Sequence, residues 1–386
     1  MKRLFLSILA TAAAITAFAQ GSNTGLGGYD GDYASLAQRL ANIEKKNDNF
    51  NLYLNFASSY QLSGTGNQWS SAFRAKQLCL EIKGQFGSHL GYRMRHRLNR
   101  SQAAGSESNF SKATDIMMVS WKFNDYVTVM GGKMCQFWGG FEFDENPMYI
   151  YQYSDMLEYI DCFLAGAAIA FHPWKGQEFV LNVTNSYSRK FADEYGANAR
   201  LYDGTAIEAA LHPLAYIFNW NGSFLNGIIQ TRWGVGAFNQ AYGYLDKMVF
   251  LGQKLNLKKF QIYFDWMSAW EGLDRLRIAS RELCNGTYLK DVHYNSFVAK
   301  ANWQFAKGFN FMAKGMLETA TTPEFSTYRT SIGYIGSLEY YPMADQDFRI
   351  FAAYIGRNYI YNQASKVPGS QTNRIEIGLM YRIKAY

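Results

Sequence analysis

Residues 77–100 read "QLCLEIKGQFGSHLGYRMRHRLNR" and outline a complete hairpin. In the first half Leu78, Leu80 and Ile82 alternate with Gln77, Cys79, Glu81, Lys83 and Gln85. Period two is the period of a strand, whose successive side chains point to opposite faces. A tight "GSHL" turn follows, and the second half then sets Arg93, Arg95 and Arg97 on one face against Tyr92, Met94, His96 and Leu98 on the other. Three guanidiniums about 7 Å apart along a strand repel one another. Such a row persists only against water, anions or compensating acids, so one face of this hairpin is largely apolar and the other is wet.

The same alternation runs outward in both directions. It is present in "FNLYLNF" (50–56), "FQIYFDW" (260–266), "FVAKANWQF" (297–305), "FNFMAKGML" (309–317) and "RIEIGLMYRIK" (374–384). The polar face is hydrated throughout, which the core of a soluble sandwich does not tolerate. Beyond the N-terminal segment no run of 18 or more apolar residues occurs, so no transmembrane helix is expected. Yet aromatic residues make up 17% of the chain, with 28 Tyr, 28 Phe and only 6 Pro. A transmembrane antiparallel β-barrel accounts for both facts, because it alternates short strands and carries aromatic girdles at the two membrane interfaces.

Turn chemistry supplies the topology. Short turns are expected at Gly87-Ser88, Asn124-Asp125, 173–177, His212-Pro213, Lys258-Lys259, Lys307-Gly308 and 342–347. Longer links fall at 101–112, 141–159, 188–204, 222–246, 271–291 and 359–372. Short periplasmic turns alternating with long outer loops predict an all-β barrel of about 16 strands, beginning at Phe50, with both ends in the periplasm. The terminal Tyr386 has Lys384 and Arg382 in its own register, which predicts a bulge or an unpaired last residue.

At the N-terminus Lys2 and Arg3 precede an apolar run over 4–15, and Ala17-Phe18-Ala19 supplies the small residues of a cleavage site. This predicts a signal peptide over 1–19 and export. Removing Lys2 and Arg3 from the 38 basic residues leaves 36 against 31 acids, a mild excess that does not indicate nucleic acid. Residues 20–48 read as a Gly- and Asn-rich periplasmic arm with a short helix, in which Ser35 caps Leu36, Leu40 and Ile43. The barrel is expected over 49–386. Cys79, Cys135, Cys162 and Cys284 show neither a close pair nor metal spacing, and read as small buried or lumen-facing thiols. No metal site or cofactor is expected. The histidines are His89, His96, His172, His212 and His293; none belongs to a nucleophile motif, so an enzyme is not expected.

The stretch "GGKMCQFWGGFEFDENPMYIYQYSDM", Gly131 to Met156, resembles the phosphate-selective porin O and P family. Gly132, Lys133, Phe137, Gly139, Gly140, Phe141 and Glu142 carry the likeness, a glycine-basic-aromatic segment followed by a long loop. The resemblance implies a usually trimeric sixteen-stranded porin of the bacterial outer membrane, with an arginine ladder and a basic constriction that pass phosphate-like anions. Its partners would be those anions, outer-membrane lipid and lipopolysaccharide.

An anion pore needs fixed positive charge on a wet wall of low dielectric, and arginine offers paired donors to phosphate. The residues expected to carry the pathway are Arg93, Arg95, Arg97, Lys133, Lys300, Lys314, Arg329 and Arg374. The loop expected to dip into the lumen carries Phe141, Glu142, Asp144, Glu145, Tyr149 and Tyr151. Two alternatives stand beside this reading. The bases could be wall pairs, with Asp144, Glu145, Asp155 and Glu158 tethering the loop, and the barrel could be a general porin for small organic solutes or a structural barrel without conductance.

Overall fold

In a bilayer no water is available to backbone groups, so a sheet that crosses it must close and leave no edge. The computed structural model, which describes residues 49–103, 107–343 and 346–385, has that form. Sixteen strands each pair antiparallel with their neighbours in the chain, and the last pairs with the first. They are β1 Asn51–Thr65, β2 Gln68–Phe86, β3 Leu90–Arg97, β4 Thr114–Lys122, β5 Val127–Cys135, β6 Phe163–Phe171, β7 Gln177–Asn185 and β8 Leu214–Phe224. The second half comprises β9 Ile229–Ala241, β10 Tyr244–Asn256, β11 Phe260–Leu273, β12 Lys290–Ala306, β13 Phe309–Thr322, β14 Ser326–Tyr340, β15 Asp347–Tyr361 and β16 Ser370–Lys384. The expected signal peptide and periplasmic helix lie outside the described residues.

Alternation sorts the side chains as the hairpin at 77–100 requires. Along β13, Phe311 and Leu317 face outward and are exposed, while Met312, Lys314 and Met316 face the lumen and are buried. The outward face is an apolar band of Leu, Ile, Val and Phe. Trp121, Phe123, Tyr126, Trp174, Trp303, Phe305 and Tyr340 stand exposed near the short turns. A patch of this extent is stable against lipid and not against water.

Closure runs from Tyr53↔Lys384 to Thr65↔Thr372 without a register shift, and β16 meets β15 equally evenly. The bulge expected near the C-terminus is therefore absent from 370–384. Arg382 and Lys384 instead point inward over the Tyr53 ring, at 4.3 and 5.5 Å from its centroid. Tyr386 lies outside the described residues.

The region between β7 and β10 corrects the expected connections. His212-Pro213 is the end of a long outer loop over 186–213, not a short turn. The supposed link at 222–246 is β8, a tight turn, β9 and a two-residue hairpin at Tyr242-Gly243. Glycine interrupts the strand pattern here, since Gly234 and Gly236 are interior residues of β9. A Cβ on Gly236 would lie 2.9 Å from the Phe238 ring, and one on Gly234 would collide with Phe250. Glycine in a strand marks such close approach as well as a loop. The turn itself uses Leu225 and Asn226 in left-handed conformation (φ 51° and 55°), the geometry that matches strand twist in a tight hairpin.

Candidate functional site

The long connection between β5 and β6 folds into the lumen. It carries a short helix α1 (Phe141–Asp144), a 3-10 turn (Pro147–Tyr149) and a second helix α2 (Asp155–Tyr159). Gly139 and Gly140 let its backbone approach the wall. Gly139 has φ +91°, and a Cβ on Gly140 would run into the Asp265 carboxylate of β11. That carboxylate accepts the backbone N–H groups of Phe141 and Glu142, at 2.9 and 2.7 Å. Asp265 thus caps α1 from across the lumen, satisfying backbone donors that the helix leaves open.

The loop's acids then meet bases on one arc of the wall. Glu142 pairs with Lys314, and it also accepts the Ser154 N–H at 2.8 Å and the Ser154 hydroxyl at 2.7 Å. Asp144 lies 2.9 Å from Arg232, Glu145 lies 2.7 Å from Lys300, and Asp155 lies 2.7 and 3.0 Å from Arg329 and Arg357. The Tyr149 hydroxyl donates to Asp347, and that of Tyr151 donates to Glu339 at 2.8 Å. All these partners stand on β9 and β12–β15. Nearly all the pairs are buried, so each charge is desolvated and depends on its protein partners.

The opposite arc is more open, and meets the loop where Lys76 and Arg374 donate to the Tyr151 carbonyl at 3.1 and 2.9 Å. A cavity of 1010 Å³ lies between the loop and the wall formed by β16 and β1–β5. Arg93, Arg95, Arg97, Lys133 and Arg374 line it, as do Asp144, Glu145 and Tyr151 of the loop. Lys300, Lys314 and Arg329 are not in that lining; they hold the loop. Phe141, Glu142 and Tyr149 face the anchoring arc as well.

The arginine row is compensated in part. Arg93 lies 2.6 Å from Glu81, while Arg95 and Arg97 share Asp115 at 2.9 and 2.6 Å. Arg374 lies 2.5 Å from Glu376, and Lys76 lies 3.8 Å from the same carboxylate. With Lys83 and Arg382, this patch of β2, β3, β4 and β16 holds seven bases and three acids. The Arg95 side chain is 7% exposed, but those of Arg97 and Arg374 reach 22% and 26%. Lys133 stands just before the loop, with its Nζ 3.5 Å from the Ser111 carbonyl.

Three contributors escaped sequence reading. Lys76 sits where β1 and β2 shift register, since Ala57 pairs with Gln77 and Ser58 with Ala75. This extra residue forms a bulge, which re-aims a side chain and defeats parity. Arg232 lay in the stretch read as a loop. Arg357 shares the inward parity of Arg349, which is buried eight residues earlier on β15, and extending that count along the strand finds it.

Replacing Gly140 by alanine should displace α1 from Asp265 and raise single-channel conductance and its noise. Gly131→Ala, where a Cβ meets nothing within 4 Å, is the control. Identical traces for the two variants would refute the glycine's role.

A closed barrel whose lumen is narrowed by an inward loop and lined by charge is a diffusion channel of the bacterial outer membrane, a porin. The phosphate-selective porin O and P family model matches residues 50–383, and the chain belongs to that family. Among solved structures it is similar to the outer-membrane channel DcaP of Acinetobacter baumannii, at 10% identity and TM-score 0.62, over 93% of this chain and 100% of that one. It is also similar to an anion-selective porin from Comamonas acidovorans (10% identity, TM-score 0.54, 86% and 99% covered). A third is the trimer form of OmpT from Vibrio cholerae (10% identity, TM-score 0.52, 87% and 100% covered). No curated protein sequence matches it.

Proposed function

We propose that the protein conducts small anions passively across the outer membrane, with preference for phosphate-like oxyanions, and that it works as a homotrimer. One observation carries the reading: Glu142, Asp144, Glu145 and Asp155 of the loop are neutralised on the anchoring arc, so the open arc keeps its excess of bases. Around the whole cavity fourteen basic side chains face nine acidic ones. A low-dielectric wall focuses that field, and guanidiniums replace part of an anion's hydration. Paired N–H donors suit a phosphate oxyanion better than a halide. The family's description and the anion selectivity named for the Comamonas porin agree with this reading. The trimer named for OmpT supports the assembly. The outward apolar band and its girdle would meet lipid and, in the outer leaflet, lipopolysaccharide.

Reversal potentials in a potassium chloride gradient test the proposal. The expected sign is that of anion preference, with chloride current reduced by added phosphate. Cation preference or absence of conductance would overturn it. Anion preference without a phosphate effect would leave a general anion pore.

A further inference from the structure

Cys135 is the last residue of β5 and Cys162 immediately precedes β6, so the two flank the inward loop at its neck. The strands pair Cys135 with Phe163, and the Gln136 N–H donates to the Cys162 carbonyl at 2.8 Å. Cys162 is therefore next to the cross-strand partner of Cys135, a relation that places the two Cα atoms about 6 Å apart, and because it lies just outside the ladder its side chain can reach the same cavity as that of Cys135, within the span of a disulfide. Both side chains line the cavity and are partly exposed to it. Cys79 and Cys284 are buried elsewhere, one on β2 and the other after the helix at Ile278–Leu283.

We propose that Cys135 and Cys162 are oxidised to a disulfide that staples the neck of the constriction loop. An outer-membrane chain traverses an oxidising compartment, where neighbouring thiols are converted and retained as disulfides. The oxidant is the disulfide of a periplasmic dithiol oxidase, acting before the barrel closes because the finished lumen admits no protein. One cysteine thiolate attacks a sulfur of that disulfide, forming a mixed disulfide and releasing the oxidase's other sulfur as a thiol. The second cysteine thiolate then attacks the first cysteine's sulfur and releases the oxidase as its dithiol. Two electrons and two protons pass from this chain to the oxidase. The bridge encloses the 26 residues from Gln136 to Asp161 and restricts the loop independently of its ion pairs.

The full chain, extracted from outer membranes without reductant, is denatured in N-ethylmaleimide and weighed intact. Two adducts are expected, on Cys79 and Cys284, rising to four when reduction precedes labelling, and a peptide joining Cys135 to Cys162 should appear in the digest. The Cys135→Ser chain should take three adducts without reduction. Four adducts on the unreduced wild-type chain, or a bridge between a different pair, would overturn the proposal. The wild-type count and its joined peptide together decide it if the variant does not reach the membrane.

Discussion

Replacing Arg93, Arg95 and Arg97 together by alanine lowers the anion-over-cation permeability ratio by about tenfold, read as a shift of reversal potential in a salt gradient. On the open arc the triple variant leaves four bases against three acids, where seven faced three. Glu81 and Asp115 then point into the cavity without their closest partners. At a few ångströms across a partly aqueous lumen, each lost charge is worth on the order of 1 kcal/mol to a passing ion. About 1.4 kcal/mol accounts for a tenfold ratio, so this expectation allows for strong screening by salt. Unchanged selectivity would assign the row to wall structure alone. The paired variant Arg93→Ala with Glu81→Ala, which removes one charge of each sign, should shift the ratio far less.

Replacing Glu142 by alanine should detach the loop while the barrel stays closed. The change removes the Lys314 partner and both Ser154 hydrogen bonds, leaving a buried ammonium whose remaining contact is the Gln152 carbonyl at 2.7 Å. Breaking one side of a buried pair costs about 3–5 kcal/mol. A 3 kcal/mol loss increases the detached population about a hundredfold. Limited proteolysis within 141–159 reads that population, and single-channel recording should show longer, wider openings. The loop gives way before the wall because the barrel ladder does not depend on it. An unchanged cleavage rate would mean that the other ion pairs suffice.

The barrel was legible because lipid imposes a rule on every strand. A face that meets hydrocarbon must be apolar and its reverse must accept water, so period two survives even in strands as short as β3. The inward loop was expected as well, from the family resemblance of 131–156 rather than from periodicity. Which bases would meet which acids was not, since Lys300 and Arg93 look alike in sequence and both face inward. Only the direction in which the loop leans separates them, and that is set by the Asp265 cap and two glycines. The bulge at Lys76 and the glycine-bearing strand β9 were hidden for a related reason. Each replaces side-chain pattern by close backbone geometry, which leaves no periodic trace.

The one-sided seating of the loop makes selectivity and architecture separable under mutation. Substitutions of Arg93, Arg95 and Arg97 on β3 should alter the proposed ion path without touching the pairs on β9 and β12–β15. Effects of residues that are well separated and share no partner combine additively. The chain can therefore diverge towards new solutes through changes at a handful of lumen positions while the loop that defines the aperture keeps its seat.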